Sequence, residues 1–251
     1  MASQPTQRDF PWIASGDVAH RGLFRAGTKA EENTLPAFKA ALEAGFAIEL
    51  DVRTTSDDIV VVFHDDTLER MTNAKGEVSN WGFQQLQKHN VGNSGLPIPS
   101  LPDVLEAVDG KQPIYVEIKT RLDKDIQKVC AGVRHCFEGY AGPVAVMSFD
   151  PRVVKWFATY MPKYARGLII GRDALLKIRN RMLLGFWASR TKPDFFACDI
   201  NLLPNSFARR WRERGGKLLT WTVRTPEMEQ IARQYADAVI FEAPAVVGDQ
   251  D

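Results

Sequence analysis

Short β-rich runs alternate with amphipathic helical stretches along almost the whole chain. The β-rich runs fall at 17–22, 47–53, 113–120, 143–149, 165–170, 195–200, 217–223 and 238–241. Helical patterns lie between them, at 34–45, 100–109, 123–138, 151–160, 173–188, 204–215 and 226–235. Such alternation indicates parallel strands joined by crossover helices. Eight main strands in 251 residues predict an α/β fold, a single (β/α)8 TIM barrel domain spanning 1–251.

One region does not fit the repeat. A further β-rich run at 59–64 follows the second strand directly, and the residues at 65–99 are rich in glycine and proline. We therefore predict a small insertion after the second strand region, with 65–99 passing over the active-site face of the barrel. A doubly wound open sheet is the competing architecture. It lacks support because no GxGxxG or phosphate-binding loop follows an early strand.

Composition narrows the classes of function. Lys plus Arg number 32 and Asp plus Glu number 31, so no basic excess exists to bind nucleic acid. The three cysteines have no CxxC spacing, which argues against a zinc site and a disulfide framework. Neither a signal-peptide core in the first twenty residues nor an apolar run of membrane-spanning length is present. We therefore expect a cytoplasmic protein.

Acidic residues occupy one face of two neighbouring strands. Glu49, Asp51 and Arg53 alternate with apolar residues in the second strand, and Glu117 and Lys119 do so in the third. The apolar face must meet the helices, so the three carboxylates should converge in the lumen. A divalent cation would remove their repulsion, and all-oxygen ligation suits Mg²⁺, Ca²⁺ or Mn²⁺. An inner network in which Arg53 and Lys119 neutralise the acids explains the pattern equally well.

Two histidines stand at strand ends near these acids. His20 closes the first strand and His64 closes the run at 59–64. A lone histidine there is more often structural than catalytic, but a pair beside an acidic cluster can provide a base and an acid at neutral pH. Arg21, next to His20, could hold a phosphate oxygen.

These motifs occur in an order that resembles the glycerophosphodiester phosphodiesterase family. The matching stretches are HRG (20–22), ENT (32–34), AF..AL..G (37–45), IELDV (48–52), HDD.L.R.T (64–72), EIK (117–119) and L.TWTV (218–223). The resemblance is dense over 18–120 and implies a (β/α)8 barrel with an insertion at 65–99. Three positions depart from the usual pattern: Glu31 replaces a proline, Asp58 a turn glycine, and Glu242 an aspartate.

The resemblance also implies roles for individual residues. It implies that His20 and His64 are the acid-base pair and that the metal ligands are Glu49, Asp51 and Glu117. Substrate and phosphate contacts are implied for Arg21, Lys119, Trp221, Glu32 and Asn33, with Trp221 packing on the glycerol. One divalent cation is expected, either Mg²⁺ or Ca²⁺, with Mn²⁺ also compatible.

The implied activity is metal-dependent hydrolysis of a small-molecule glycerophosphodiester to glycerol phosphate and an alcohol. Two alternatives stay open, a lysophospholipase D-like activity on lysolipids and a non-catalytic barrel, and the retained histidines and acids argue against the second. The basic amphipathic stretch at 172–192 is expected to be a barrel helix, in preference to a helix that contacts membrane. The sequence leaves the oligomeric state open.

Overall fold

Eight parallel strands close into a barrel. The computed structural model describes residues 8–120, 126–172 and 178–242. The barrel strands are β1 (Val18–Ala19), β2 (Ala47–Thr54), β4 (Ile114–Ile118), β5 (Val144–Ser148), β6 (Ala165–Ile170), β7 (Phe195–Asp199), β8 (Lys217–Val223) and β9 (Ala238–Phe241). Each pairs in parallel with its neighbours, and pairing of β1 with both β2 and β9 closes the ring. A ninth strand, β3 (Val60–Val62), pairs antiparallel with the end of β2 outside the ring. The predicted (β/α)8 fold is confirmed.

Helices cover the outside of the barrel, apart from the short helix Phe83–Leu86, which belongs to the 65–99 region. They are α1 (Leu35–Glu43), α2 (Phe83–Leu86), α3 (Leu101–Val108), α4 (Ile126–Cys136), α5 (Pro151–Tyr160), α6 (Ile178–Thr191), α7 (Ser206–Glu213) and α8 (Pro226–Tyr235). The expected helices at 123–138 and 173–188 are found as α4 and α6, although 123–125 and 173–177 lie outside the described residues. No helix in the described part of the chain has both the length and the apolar character needed to cross a bilayer.

The first strand is shorter than predicted. Regular pairing stops at Ala19, and the chain turns through Arg21 and Gly22, whose φ angles are 56° and 80°. Gly22 cannot be replaced without strain, since a β-carbon there would lie 2.8 Å from the backbone carbonyl carbon of Ala37 in α1. The prediction of a strand over 17–22 is thus wrong in its second half, which forms a turn at the carboxyl end of β1.

The barrel separates an outer core from an inner core. Apolar residues of β2 that were predicted to face the helices, Ile48, Leu50 and Val52, pack in the outer core with helix residues such as Phe38. The inner core fills the lumen below the site with inward-facing residues of successive strands, among them Tyr115, Ala145, Ile169, Phe195 and Leu219. The Trp12 ring packs edge-on against Tyr115 with centroids 5.9 Å apart, so the N-terminal segment covers the opposite end of the lumen.

The region at 65–99 packs around a small core of its own. It includes a 3₁₀ helix (Val78–Asn80) and α2. The buried apolar residues of this core are Val61, Phe63, Leu68, Ala74, Val78, Leu86, Val91 and Ile98. Glu31 links the region to the β1–α1 connection, because its Oε1 accepts the backbone N–H groups of Gly27 and Asn93. Asp58, at the turn before β3, adopts a left-handed φ of 68° that aspartate tolerates.

Candidate active site

Three carboxylates meet inside the barrel at the carboxyl ends of β2 and β4. Asp51 and Glu117 are direct partners in the parallel register, and Glu49 lies two residues before Asp51 on the same face. One oxygen from each side chain lies within 4.8 Å of the others, and all three residues are buried. The predicted convergence of these acids is therefore present in the structure.

Two cations partly balance the acids. Lys119 Nζ lies 2.9 Å from Asp51 Oδ1 and 2.5 Å from Glu117 Oε1, while Arg21 Nε lies 3.3 Å from Asp51 Oδ2. Glu49 Oε2 accepts the Arg21 backbone N–H at 3.0 Å, and its buried Oε1 has no hydrogen-bond partner. Three acids against two cations leave one carboxylate uncompensated, and an orphaned carboxylate oxygen suits a divalent cation.

The pKa values follow this imbalance. Burial, reinforced by the charges of Asp51 and Glu117, raises the pKa of Glu49 well above its usual range. Burial also raises the pKa of Glu117 to about 7, although Lys119 opposes the shift. Burial would raise the pKa of Asp51 too, but Lys119 and Arg21 outweigh it and lower that pKa. Glu49 is thus the acid whose ionised form most needs an added cation.

Arg53 does not take part in this cluster. Its Nε donates to the His64 carbonyl oxygen at 2.8 Å, and its guanidinium pairs with Asp66. The inner network that competed with a metal site on the sequence pattern is therefore only half formed: Lys119 contacts the acids and Arg53 turns away.

His20 is held by a carboxylate from the last strand region. Its Nδ1 lies 2.7 Å from Glu242 Oε1, and Arg224 donates to both Glu242 oxygens at 2.6 and 2.8 Å. His20 Nε2 faces the acidic cluster, 3.8 Å from Glu49 Oε2. Burial lowers the pKa of His20, partly offset by the Glu242 hydrogen bond. The ring is fixed with one nitrogen on a carboxylate and the other toward the site.

His64 has a matching arrangement. Its Nδ1 lies 2.6 Å from Asp65 Oδ1, and the Arg70 guanidinium donates to both Asp65 oxygens. Burial lowers the pKa of His64, with Asp51 acting in the opposite direction. Arg70 also donates to both oxygens of Glu32, at 2.6 and 2.9 Å. A residue of the 65–99 region thus joins the His64 side of the site to Glu32.

Glu32 and Asn33 stand behind the groups that face the cavity. Glu32 accepts a hydrogen bond of 2.8 Å from Arg21 Nη1. Asn33 Nδ2 donates to Asp51 Oδ2 at 3.0 Å, while the Asp51 N–H donates to Asn33 Oδ1 at 3.2 Å. Their contacts orient Arg21 and Asp51, and neither residue lines the cavity of about 160 Å³ above the acids.

A cavity of about 160 Å³ lies above the acids. Its polar wall, at the ends of β1 to β4, carries His20, Arg21, Glu49, His64, Glu117 and Lys119. Its opposite wall, from β5 to β9, is apolar apart from Thr222 and carries Met147, Phe149, Ile169, Ala197, Trp221, Thr222 and Ile240. Trp221 Nε1 donates to the Ala197 carbonyl at 3.0 Å, which fixes the indole, and Phe149 packs edge-on against it with centroids 5.4 Å apart. One wall can therefore meet charge and the other can meet hydrocarbon.

Several residues that complete this geometry had no role assigned from the sequence. They are Glu242, Asp65, Arg70, Arg224 and Phe149. Three of them carried a signal: Asp65 and Arg70 lie within the motif HDD.L.R.T, and Glu242 is one of the departures from the family pattern. All ten residues that were predicted for the site lie in this cavity or directly behind it.

Comparisons with known proteins identify the family of this chain and agree with its fold. The sequence pattern of the glycerophosphoryl diester phosphodiesterase family matches residues 20–246. A glycerophosphodiester phosphodiesterase of Caldanaerobacter subterraneus subsp. tengcongensis is 29% identical over 239 residues, which cover 90% of this chain and 93% of that protein.

Solved structures share the barrel. A glycerophosphodiester phosphodiesterase from Agrobacterium tumefaciens matches with a TM-score of 0.69 and 25% identity, covering 90% of this chain and 96% of that one. An Oleispira antarctica phosphodiesterase, solved with its product sn-glycerol-3-phosphate, matches with a TM-score of 0.78 and 21% identity over 90% of this chain and 92% of that one. The family pattern spans nearly the whole chain, so the chain belongs to the glycerophosphoryl diester phosphodiesterase family of phosphodiester hydrolases.

Proposed function

We propose that the cavity hydrolyses glycerophosphodiesters to glycerol phosphate and an alcohol, with His20 and His64 as its acid-base pair. The observation that carries the proposal is the position of both imidazoles on the cavity wall that Glu49 and Glu117 also line. A phosphodiester hydrolase must remove a proton from the nucleophile and deliver one to the leaving alcohol, and two histidines can divide these tasks.

The carboxylate contacts of the two histidine rings support this division. Each Nδ1 lies against a carboxylate, Glu242 for His20 and Asp65 for His64. Hydrogen bonds to charged partners outweigh burial and lower the pKa of both carboxyls to about 2, so both are anionic at neutral pH. A carboxylate accepts the Nδ1–H and leaves Nε2 of the neutral ring as a proton acceptor. After protonation, the same nitrogen can donate.

The acidic cluster fits a divalent cation that Glu49, Asp51 and Glu117 would hold. When bound, such an ion supplies Lewis-acid polarisation of a phosphate oxygen. The donor set is all oxygen, so we propose Mg²⁺, Ca²⁺ or Mn²⁺ as the metal. In this proposal Arg21 and Lys119, both on the cavity wall, contact the phosphate, and Trp221 packs on the glycerol carbons.

Single alanine variants of the two histidines test the assignment. His20→Ala and His64→Ala should each reduce kcat for glycerophosphocholine by about 10²- to 10⁴-fold, because each removes one proton transfer. His135→Ala is the matched control, since His135 is exposed on α4 and its ring contacts Glu138, which is not a residue of the site. Circular dichroism should show an intact fold in all three variants. A histidine variant with near-normal turnover would refute the acid-base roles.

A lysolipid substrate is the second candidate, and one observation favours it. Phe149 lies on the apolar wall yet is 46% exposed, so the wall continues to the surface beside Trp221. An acyl chain could extend along such a wall. The lysolipid activity is favoured if lysophosphatidylcholine is turned over faster than glycerophosphocholine. Its turnover should then fall in Phe149→Ser. The reverse preference would favour the glycerophosphodiester.

A further inference from the structure

A bulge in β8 turns an unassigned side chain into the cavity above the acids. Leu219 lies in the inner core, so simple alternation would place Trp221 in the lumen and Thr222 outside it. The register with β9 shifts between Thr220 and Val223, where two residues of β8 stand opposite one residue of β9. Such a bulge re-aims a side chain. Thr222 therefore lines the cavity together with Trp221, and Val223 returns to the outer core.

Thr222 provides a hydroxyl group that has no partner in the described part of the chain. Among the described residues that line the cavity, it is the one residue that carries a hydroxyl. Thr222 is 6% exposed, yet its oxygen is not one of the fully enclosed polar atoms that lack a partner, as Glu49 Oε1 is. Because the residue lines the cavity, the remaining surface of this oxygen opens there, where a ligand can reach it.

Thr222 faces the charged wall from the other side of the barrel. Its strand, β8, is four strands away from β4 in both directions around the closed ring. Glu117 lies on β4 and Lys119 follows it, so these charges lie across the lumen from Thr222. The wall around Thr222 is otherwise apolar and includes Trp221. A polar group that a ligand carries to this wall needs a hydrogen-bond partner, and Thr222 supplies one.

We propose that Thr222 is a specificity-determining residue whose hydroxyl binds the terminal hydroxyl of the substrate's glycerol moiety. This inference rests on the proposed function, in which the phosphate contacts Arg21 and Lys119 and the glycerol carbons pack on Trp221. The terminal hydroxyl is the glycerol hydroxyl farthest from the phosphate, so it is the one that reaches the opposite wall. A site that hydrogen-bonds a substrate hydroxyl discriminates against an analogue that lacks this hydroxyl.

The test compares kcat/KM for glycerophosphocholine with kcat/KM for its deoxy analogue, in which CH₃ replaces the terminal CH₂OH, using the full chain. The wild type should prefer glycerophosphocholine by about three- to tenfold, the effect of one hydrogen bond between uncharged groups. Thr222→Val keeps the size of the side chain without its hydroxyl and should lose most of this preference. Thr222→Ser retains a hydroxyl and should keep the preference. The ratio of two substrates in one preparation does not depend on the fraction of folded enzyme, so partial misfolding cannot imitate the result.

Thr159→Val is the matched control. Thr159 is exposed on α5, and its hydroxyl donates to the Lys155 carbonyl at 2.9 Å, so this variant should keep the wild-type preference. A wild type without the preference, or an unchanged preference in Thr222→Val, would overturn the role of Thr222 and leave the proposed function standing. An equal loss in Thr222→Ser and Thr222→Val would overturn it as well. A wild type inactive on both substrates would instead refute the proposed function, and this inference with it.

Discussion

At the scale of single residues, Glu242 fixes the orientation of the His20 ring. It accepts from the His20 ring and is itself held by the Arg224 guanidinium. Replacing Glu242 with glutamine puts an amide where a carboxylate fixes the ring tautomer. We expect Glu242→Gln to lower kcat by about 10²- to 10⁴-fold with a small change in KM, since a wrong tautomer impairs proton transfer but not binding.

Steady-state kinetics with glycerophosphocholine check this prediction. Glu213→Gln, an exposed acid on α7, serves as the control and should retain wild-type kinetics. A large fall in the melting temperature of Glu242→Gln, with kcat restored when the assay is cooled, would show that Glu242 has only a structural role.

Glu242 also has a pH signature. Burial opposes its ionisation, but the His20 and Arg224 hydrogen bonds outweigh burial and lower its pKa to about 2. A carboxyl whose pKa is lower in the folded state stabilises the fold above the unfolded pKa, near 4.3, and loses this contribution as the pH falls toward 2. Urea unfolding at pH 6 and pH 3 should therefore show a smaller acid-induced loss of stability in Glu242→Gln than in the wild type. An equal loss would contradict the low pKa.

The sequence could reveal the acids and histidines but not these partners. Glu49 and Asp51 alternate within one strand, so local periodicity reveals their shared face. Glu242 lies 222 residues from His20, and only closure of the barrel brings the two together. No local pattern can show such a contact.

At the scale of elements, the 65–99 region contributes Arg70 to the surroundings of the site. Arg70 donates to both oxygens of Asp65 and both oxygens of Glu32, and so connects the His64 side of the site with the Arg21 side. Arg70→Met replaces the aliphatic stem of the side chain but loses the guanidinium and these hydrogen bonds. We expect kcat/KM to fall about 10- to 100-fold, the usual cost of losing an outer partner in such a site.

The matched control is Arg209→Met on α7. Arg209 is exposed, and among the described residues its ion pair is with Glu213, 3.8 Å away. Comparison of the two variants under the same assay isolates the loss of positioning from the loss of a positive charge. Equal activity in both variants would show that Arg70 has no part in organising the site.

The small core of the region should carry its own share of stability. Leu86 of α2 is fully buried there, whereas Leu96 is 40% exposed. Leu86→Ala should lower the free energy of unfolding by about 2–5 kcal/mol through lost burial and a new cavity. Leu96→Ala should change it by less than about 1 kcal/mol. Urea denaturation measures both, and similar values for the two variants would contradict a packed core in this region.

Sequence periodicity was informative for strands and weak for this region. Strands such as β4 and β5 have alternating or continuous apolar runs, which the chain reveals directly. The glycines and prolines at 65–99 indicated a long loop region but not the helices or the core within it. Its core combines residues of β3, α2 and intervening turns, whose spacing follows no single period.

At the scale of the whole molecule, barrel closure places uncompensated negative charge in the lumen. Glu49 keeps one oxygen without a partner although Lys119 and Arg21 stand nearby. A cation that binds this site should stabilise the folded state over the unfolded chain. At a concentration near 100 times Kd the gain is about 2.7 kcal/mol, or roughly 5–10 °C in melting temperature for a chain of this length.

Differential scanning fluorimetry with Mg²⁺, Ca²⁺, Mn²⁺ or a chelator checks this expectation. The shift should be largely lost in Glu49→Gln, which removes one charged ligand, and retained in Glu138→Gln, an exposed acid after α4. An equal shift in wild type and Glu49→Gln would place the cation elsewhere.

Anomalous diffraction from crystals grown with Mn²⁺ tests the central claim most directly, because it locates the ion rather than its effects. We predict one strong peak within about 2.0–2.6 Å of oxygens from Glu49, Asp51 and Glu117, with the His20 and His64 rings flanking it. A well-ordered site in which Lys119 stays bound to Asp51 and Glu117, with no peak between the three carboxylates, would contradict the account.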